Sequence, residues 1–174
     1  MSNDRKWKPD FRKWYDVNKD AYKLVFEQAE KKMEDVLCES ESITNKSIKI
    51  VAAVTAMFAF FVGFLIQRNI SIGFNSIFIV VFVANVTGIL FLIFPKEIRG
   101  RGVSPKNLLP KNLDDEDDKE YQEQMIYYSG IVILQDNIDF MIEKNTSRSK
   151  WYLAWLIVAL VLMVSGATYI VALL

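Results

Sequence analysis

The residues whose types and spacing best suit chemistry are four cations on one short stretch, "KEIRGRGVSPKNLLPKNL": Arg99, Arg101, Lys106 and Lys111. Arginine flanked by glycine can approach a phosphate closely and grip it through two parallel N–H bonds. An anionic ligand such as a nucleotide would suit it. Basic residues just inside a bilayer also touch anionic lipid headgroups, and an acidic protein surface is a third partner for the same charges. The residues alone leave these three open. Nucleic acid is not expected, because no DNA- or RNA-binding motif accompanies the charge.

Other chemistry is hard to assemble. The chain has no histidine and one cysteine, Cys38, so neither a nucleophile–base pair nor a soft metal site can be built. No glycine-rich phosphate loop and no serine-hydrolase turn occurs. The acidic run "DDEDDKE" lacks the glycine and the spaced glutamate of a calcium loop. An enzyme is therefore not expected, nor a metal or other cofactor. A lone cysteine fits a reducing compartment and offers no disulfide within the chain.

The charge distribution explains which elements must position these cations. The 21 basic and 21 acidic residues balance, yet Ile50–Gln67, Asn69–Pro95 and Trp151–Leu174 contain no charged side chain. Roughly 20 apolar helical residues cross a hydrocarbon core about 30 Å thick. The expected fold is thus an all-α membrane protein with three transmembrane helices, over 47–68, 72–95 and 151–174. The remaining segments are a cytosolic helical region over 1–46, the basic Pro/Gly loop over 96–112 and an amphipathic cytosolic helix over 113–150. The first apolar run follows nearly fifty residues of charged sequence, so it does not read as a cleavable signal peptide.

Eleven of the basic residues precede Ile50 and nine lie from Lys96 to Lys150, with only Arg68 between the first two apolar runs. Positive charge stays inside. The N-terminus and the middle segment are expected in the cytoplasm, and the C-terminus at the outer face.

Periodicity then suggests how the helices meet. Tyr22, Phe26, Ala29, Met33, Val36, Ser40, Ile43, Ser47 and Ile50 alternate four- and three-residue steps, the spacing of a helix packed along another helix. "SESITNKS" lowers helix propensity within it and marks a place for a bend. Asn112 or Asp114 can cap the later helix. There Tyr121, Met125, Tyr128, Ile131, Val132, Ile138, Met141 and Ile142 form an apolar stripe, opposite Gln135, Asp136, Asn137 and Asp139. The two long amphipathic helices are expected to pair below the membrane and to run on into the first and third spans. Trp7, Phe11 and Trp14 suit a headgroup surface or the cap of a bundle, and Lys144, Arg148 and Lys150 beside Trp151, Tyr152 and Trp155 suit an anchor at the inner interface.

Inside the apolar runs, Ala59 and Gly63, and Ala84 and Gly88, are four apart, as in close helix packing in lipid. Asn85 lies near the middle of its run, where an amide needs a partner. It either bonds between helices, fixing a bundle or an oligomer, or lines a pore.

Topology and punctuation together resemble a known family. A helix leads into the first span ("FEQAEKKMEDVLCESESITNKSIKIVAA"), and a second span closes on Pro95. A Pro- and Gly-bearing loop, an acidic helix start with a tyrosine ("DDEDDKEYQEQM") and a lysine-containing approach to the last span ("IEKNTSRSKWYLAWL") follow. This pattern resembles the small transmembrane effectors of bacterial anti-phage systems, especially the Pycsar membrane effector family. Before the first span the chain has "ITNKSIK" where that family has an Asp-Lys-Ala type of pattern. The resemblance implies a protein of the bacterial inner membrane that forms a homo-oligomer. It further implies a response to infection, through a cyclic nucleotide or a cytosolic defence protein, and impairment of membrane integrity. Two other readings stand beside it. One is a membrane-anchored scaffold or assembly subunit that recruits a cytosolic partner. The other is a small channel-like subunit, whose pore would have to form between chains.

Overall fold

A computed structural model describes residues 16–67, 72–94, 99, 109, 113 and 118–173. Trp7, Phe11, Trp14, Arg68, Arg101, Lys106, Lys111, Asn112 and Asp114 lie outside the described residues. Those described form an all-helical chain of three helices: α1 (Lys19–Gln67, 49 residues), α2 (Ile72–Ile93, 22 residues) and α3 (Lys119–Leu173, 55 residues). Of these, α1 and α3 are long and apolar enough to cross a membrane.

Each long helix starts at a side-chain cap. Asn18 Oδ1 accepts the Asp20 N–H at 2.8 Å, and Asp118 Oδ1 accepts the Glu120 N–H at 2.9 Å. Both caps satisfy a backbone donor that a helix start leaves without a partner. Because the second cap is Asp118, α3 begins later than residue 113. α1 stays helical through Ser40–Ser47, where the lowered propensity left a bend possible. Its hydroxyls fold back on their own helix instead: Thr44 Oγ1 donates to the Ser40 carbonyl at 3.1 Å and Ser47 Oγ to the Ile43 carbonyl at 2.8 Å.

Packing divides the chain into two units, Met1–Glu39 with Glu97–Lys144, and Ser40–Lys96 with Asn145–Leu174. Both α1 and α3 contribute to each unit.

In the first unit, Met33 and Val36 of α1 close a core with Ile138 and Met141 of α3, flanked by Ala29, Leu37 and Phe140. The Tyr22 and Tyr128 rings meet edge to face at 6.3 Å between centroids, and Phe26 and Tyr127 at 5.7 Å. Gln124 Nε2 donates to the Val17 carbonyl at 3.1 Å, and Lys19 pairs with Glu123 at 3.4 Å. That pair is exposed, so it adds little stability. Low numbers on α1 meet low numbers on α3 and high meet high, so the two helices run parallel here.

The α1 seam is buried or half-buried at every position from Tyr22 to Ile50, as its spacing requires. The α3 stripe differs from expectation. Ile142 is exposed, while Leu134 is fully buried and the polar Gln124 and Asn145 share the inward face. The inward positions are Leu134, Ile138, Met141, Asn145, Arg148, Tyr152, Trp155 and Ala159, in alternating steps of four and three, and none is exposed. This is a parallel-pair seam that admits polar residues.

In the second unit, Val54, Phe61 and Leu65 of α1, Ile89 and Leu92 of α2, and Ala159 of α3 are buried. Phe58 stacks on Phe82 at 3.6 Å between centroids, and Phe61 lies 4.4 Å from Phe78. Phe60, Ile66, Val80, Phe91, Val161, Val164 and Val171 point outward, each more than 60 % exposed. Ser40, Ser47 and Asn85 are buried inside. Polar groups within and large apolar groups without is the reverse of a protein surface facing water. It suits a hydrocarbon surround.

Candidate functional site: a polar clasp between three helices

Pro95 has no backbone N–H, so it cannot continue the hydrogen-bond ladder of α2 and the last carbonyls need other donors. Phe94 N–H serves the Leu90 carbonyl at 3.1 Å. The Leu92 carbonyl is served from α3: Arg148 Nη2 donates to it at 2.8 Å. The same nitrogen donates to Thr44 Oγ1 at 2.7 Å, and Nη1 to Ser40 Oγ at 2.7 Å and to the Ser40 carbonyl at 3.4 Å. One guanidinium on α3 thereby binds α1 and the C-terminal turn of α2. That turn is the negative end of the α2 dipole and favours a cation.

None of these acceptors is a carboxylate. Arg148 is half-buried, its buried Nε–H has no hydrogen-bond partner among the described residues, and burial lowers its pKa from the usual arginine value. Among the described residues the cation is held by dipoles and hydroxyls.

Further along α3, Asn85 Nδ2 donates to the Trp155 carbonyl at 3.2 Å. Asn85 is fully buried and its Oδ1 lacks a hydrogen-bond partner among the described residues. Gly88, one turn on, receives the Trp155 ring: a methyl built on Gly88 would overlap the indole. Trp155, expected as an interface anchor, is instead the side chain that locks α3 to α2. Its seam position turns it inward, whereas Trp151 and Lys150 are exposed. Asn85 thus makes a bond between helices of one chain. Asn85→Asp is expected to lower the melting temperature in detergent far more than Asn85→Leu. The first puts a carboxylate where the second only removes one bond and one unsatisfied oxygen. Equal losses in a thermal aggregation assay would contradict this assignment.

Among the other small residues expected to pack, Ala59, Gly63 and Ala84 are exposed, and an added Cβ at Gly63 meets nothing within 4 Å. The reason is angular. Ala59 and Gly63 stand two residues from Phe61, about 200° around the helix at 100° per residue, and Phe61 takes the inward direction.

Of the four basic loop residues, Arg99 is the one described, and the first unit holds it. Its Nη1 pairs with Asp136 at 3.0 Å, reaches Asn137 Oδ1 at 3.5 Å, and its guanidinium lies 4.1 Å from the Phe140 ring centroid. Lys144 approaches the same ring at 5.2 Å. The structure gives Arg99 a carboxylate partner within the chain, Asp136. It also half-buries Asp136 and Asn137, expected on a solvated face.

An apolar cavity of about 120 Å³ lies in the second unit, lined in part by Phe58, Phe61, Phe78, Phe82 and Gly166. Its walls carry no group able to orient a polar ligand. Among the described residues no cluster of histidine, cysteine or carboxylates could hold a metal ion.

Comparison with protein families, with curated proteins and with solved structures finds no match. The fold and site define the class: an all-helical protein with two helices able to cross a membrane, fastened by a polar clasp at Arg148.

Proposed function

We propose that this chain is a three-span protein of the bacterial inner membrane that oligomerises and impairs membrane integrity when a cytoplasmic trigger acts on it. The observation that carries the reading is continuity. α1 and α3 each contribute residues to the first unit and an uncharged stretch to the second, within one unbroken helix. A force on the first unit then acts on the second without crossing a loop.

Other features support the finer parts. The outward face of the second unit is apolar. At 1.5 Å per residue, α2 covers about 33 Å, enough to return the chain across a bilayer. α1 and α3 run parallel in the first unit, and a third span parallel to the first needs such a return. The balance of basic residues puts the N-terminus and the middle segment in the cytoplasm. With Arg99 engaged by Asp136, the trigger contact falls to Arg101, Lys106 and Lys111, and the resemblance makes a cyclic nucleotide or a cytosolic defence protein its source.

The test is membrane potential, read with a voltage-sensitive dye in bacteria expressing the chain, before and after phage challenge, with and without neighbouring genes. Depolarisation that follows challenge supports the effector reading. A steady potential under every condition rejects it in favour of a membrane-anchored assembly subunit. One observation favours that second reading: Leu24 and Val25 of α1 are exposed in the first unit, as at a surface that receives a partner.

A further inference from the structure

A cation drawn half out of water usually has a carboxylate beside it, because desolvating a charge costs more than neutral acceptors return. Arg148 has no such partner among its bonded groups. Its acceptors among the described residues are two hydroxyls, the Ser40 carbonyl and the terminal carbonyl of α2, and among those residues its buried Nε–H finds no acceptor. A permanent brace at this position would be better made with an acid on α1. Thr44 occupies the place such an acid would take, with its hydroxyl 2.7 Å from Nη2.

The acceptors also come from elements with different obligations. Thr44 Oγ1 already donates to the Ser40 carbonyl, so it can turn to its own helix if the guanidinium leaves. The Leu92 carbonyl lies at a helix end and accepts water readily if exposed. Departure of Arg148 would leave Thr44 Oγ1 and the Leu92 carbonyl with other partners to turn to, and the guanidinium would regain its hydration.

We propose that the Arg148 clasp is a releasable latch that holds α1 and the C-terminal end of α2 to α3 in the resting chain. Opening it is the step that lets the three helices of the second unit separate. The latch deepens the function proposed above, and its consequence for permeability rests on that reading. The helix contacts themselves do not.

The test uses the full chain in vesicles of phosphatidylethanolamine and phosphatidylglycerol, in a Cys38→Ser background carrying Phe58→Cys and Phe82→Cys. The two replaced rings stack in the resting structure, so the yield of a short thiol crosslink between them reports whether α1 and α2 are together. Release of an entrapped dye is followed in parallel. Arg148→Ala is expected to cut the crosslink yield and to raise dye release roughly tenfold, the scale of losing charge-assisted hydrogen bonds. Thr44→Asp, which supplies the missing carboxylate, is expected to do the opposite: a higher yield and less release. A merely structural arginine predicts no such gain from the aspartate. An unchanged crosslink yield in Arg148→Ala, or a reduced yield in Thr44→Asp, overturns the latch. If Arg148→Ala fails to insert, Thr44→Asp alone decides. Crosslinking that responds as expected while dye release stays flat upholds the latch and rejects the membrane-permeabilising function.

Discussion

Replacing Gly88 with alanine is expected to produce one of the two largest losses of stability in this protein, although alanine is the better helix former by about 1 kcal/mol. The added methyl falls inside the Trp155 indole. Neither partner has an easy escape. Gly88 is buried in the C-terminal half of α2, and the residue carrying the indole also supplies the carbonyl that accepts from Asn85. Forcing an extra carbon into a filled contact costs about 1–3 kcal/mol and sometimes more, which outweighs the propensity gain.

Gly63, Gly88 and Gly166 then make an internal series. Gly166→Ala places its methyl 3.2 Å from the edge of the Phe78 ring, which must yield slightly, and Gly63→Ala meets nothing within 4 Å. Melting temperatures in detergent are expected to fall in the order Gly63→Ala, Gly166→Ala, Gly88→Ala, with the first at or above the parent. Combining Gly88→Ala with Trp155→Phe should recover part of the loss, since the smaller ring vacates the space. A Gly88→Ala protein as stable as Gly63→Ala would mean that Trp155 does not pack on α2.

Met33→Ala is expected to have the other large effect, in the first unit. Met33 is fully buried among Val36, Ile138 and Met141, and truncating such a side chain removes about 2–5 kcal/mol through lost transfer energy and the cavity left behind. Leu24→Ala, on the exposed side of the same helix, should stay within about 0.5 kcal/mol. Limited proteolysis reads the contrast: Met33→Ala should expose cleavage sites in α1 before Glu39, and Leu24→Ala should not. Equal resistance in both would mean that α1 and α3 do not pair there.

How much of this was legible in the sequence depended on whether a residue announced its own direction. The α1 seam was legible because its apolar positions are interrupted only by small hydroxyl residues, Ser40 and Ser47, which their own helix can satisfy. The α3 seam was half legible. Gln124 and Asn145 lie on its inward face, and a search for apolar residues steps over them to Ile142, which is exposed.

Arg148 was misread for the same reason. An arginine just before an uncharged run looks like an anchor in the headgroups, and its chemistry does suit one. Extending the four-and-three steps from Leu134 through Asn145 would have placed Arg148 on the buried face, so periodicity held the signal that residue type concealed. Gly88 was marked for close packing by its spacing from Ala84, yet Ala84 is exposed, and the partner that makes Gly88 matter is a tryptophan sixty-seven residues away on another helix. Spacing along one helix cannot show that. The Arg99 contact with Asp136 was hidden similarly, since it joins a loop to a helix thirty-seven residues on.

The central claim is that α1 and α3 pass from a cytoplasmic unit into a membrane. The chain's single cysteine tests it directly, because Cys38 is exposed on α1 just before the second unit begins. A membrane-impermeant maleimide applied to intact spheroplasts should leave Cys38 unlabelled and should label it once the membrane is opened by detergent. A cysteine placed at Asn69, in a Cys38→Ser background, should be labelled in intact spheroplasts. Labelling of Cys38 from outside, or release of the protein from membranes by alkaline carbonate, would contradict the account.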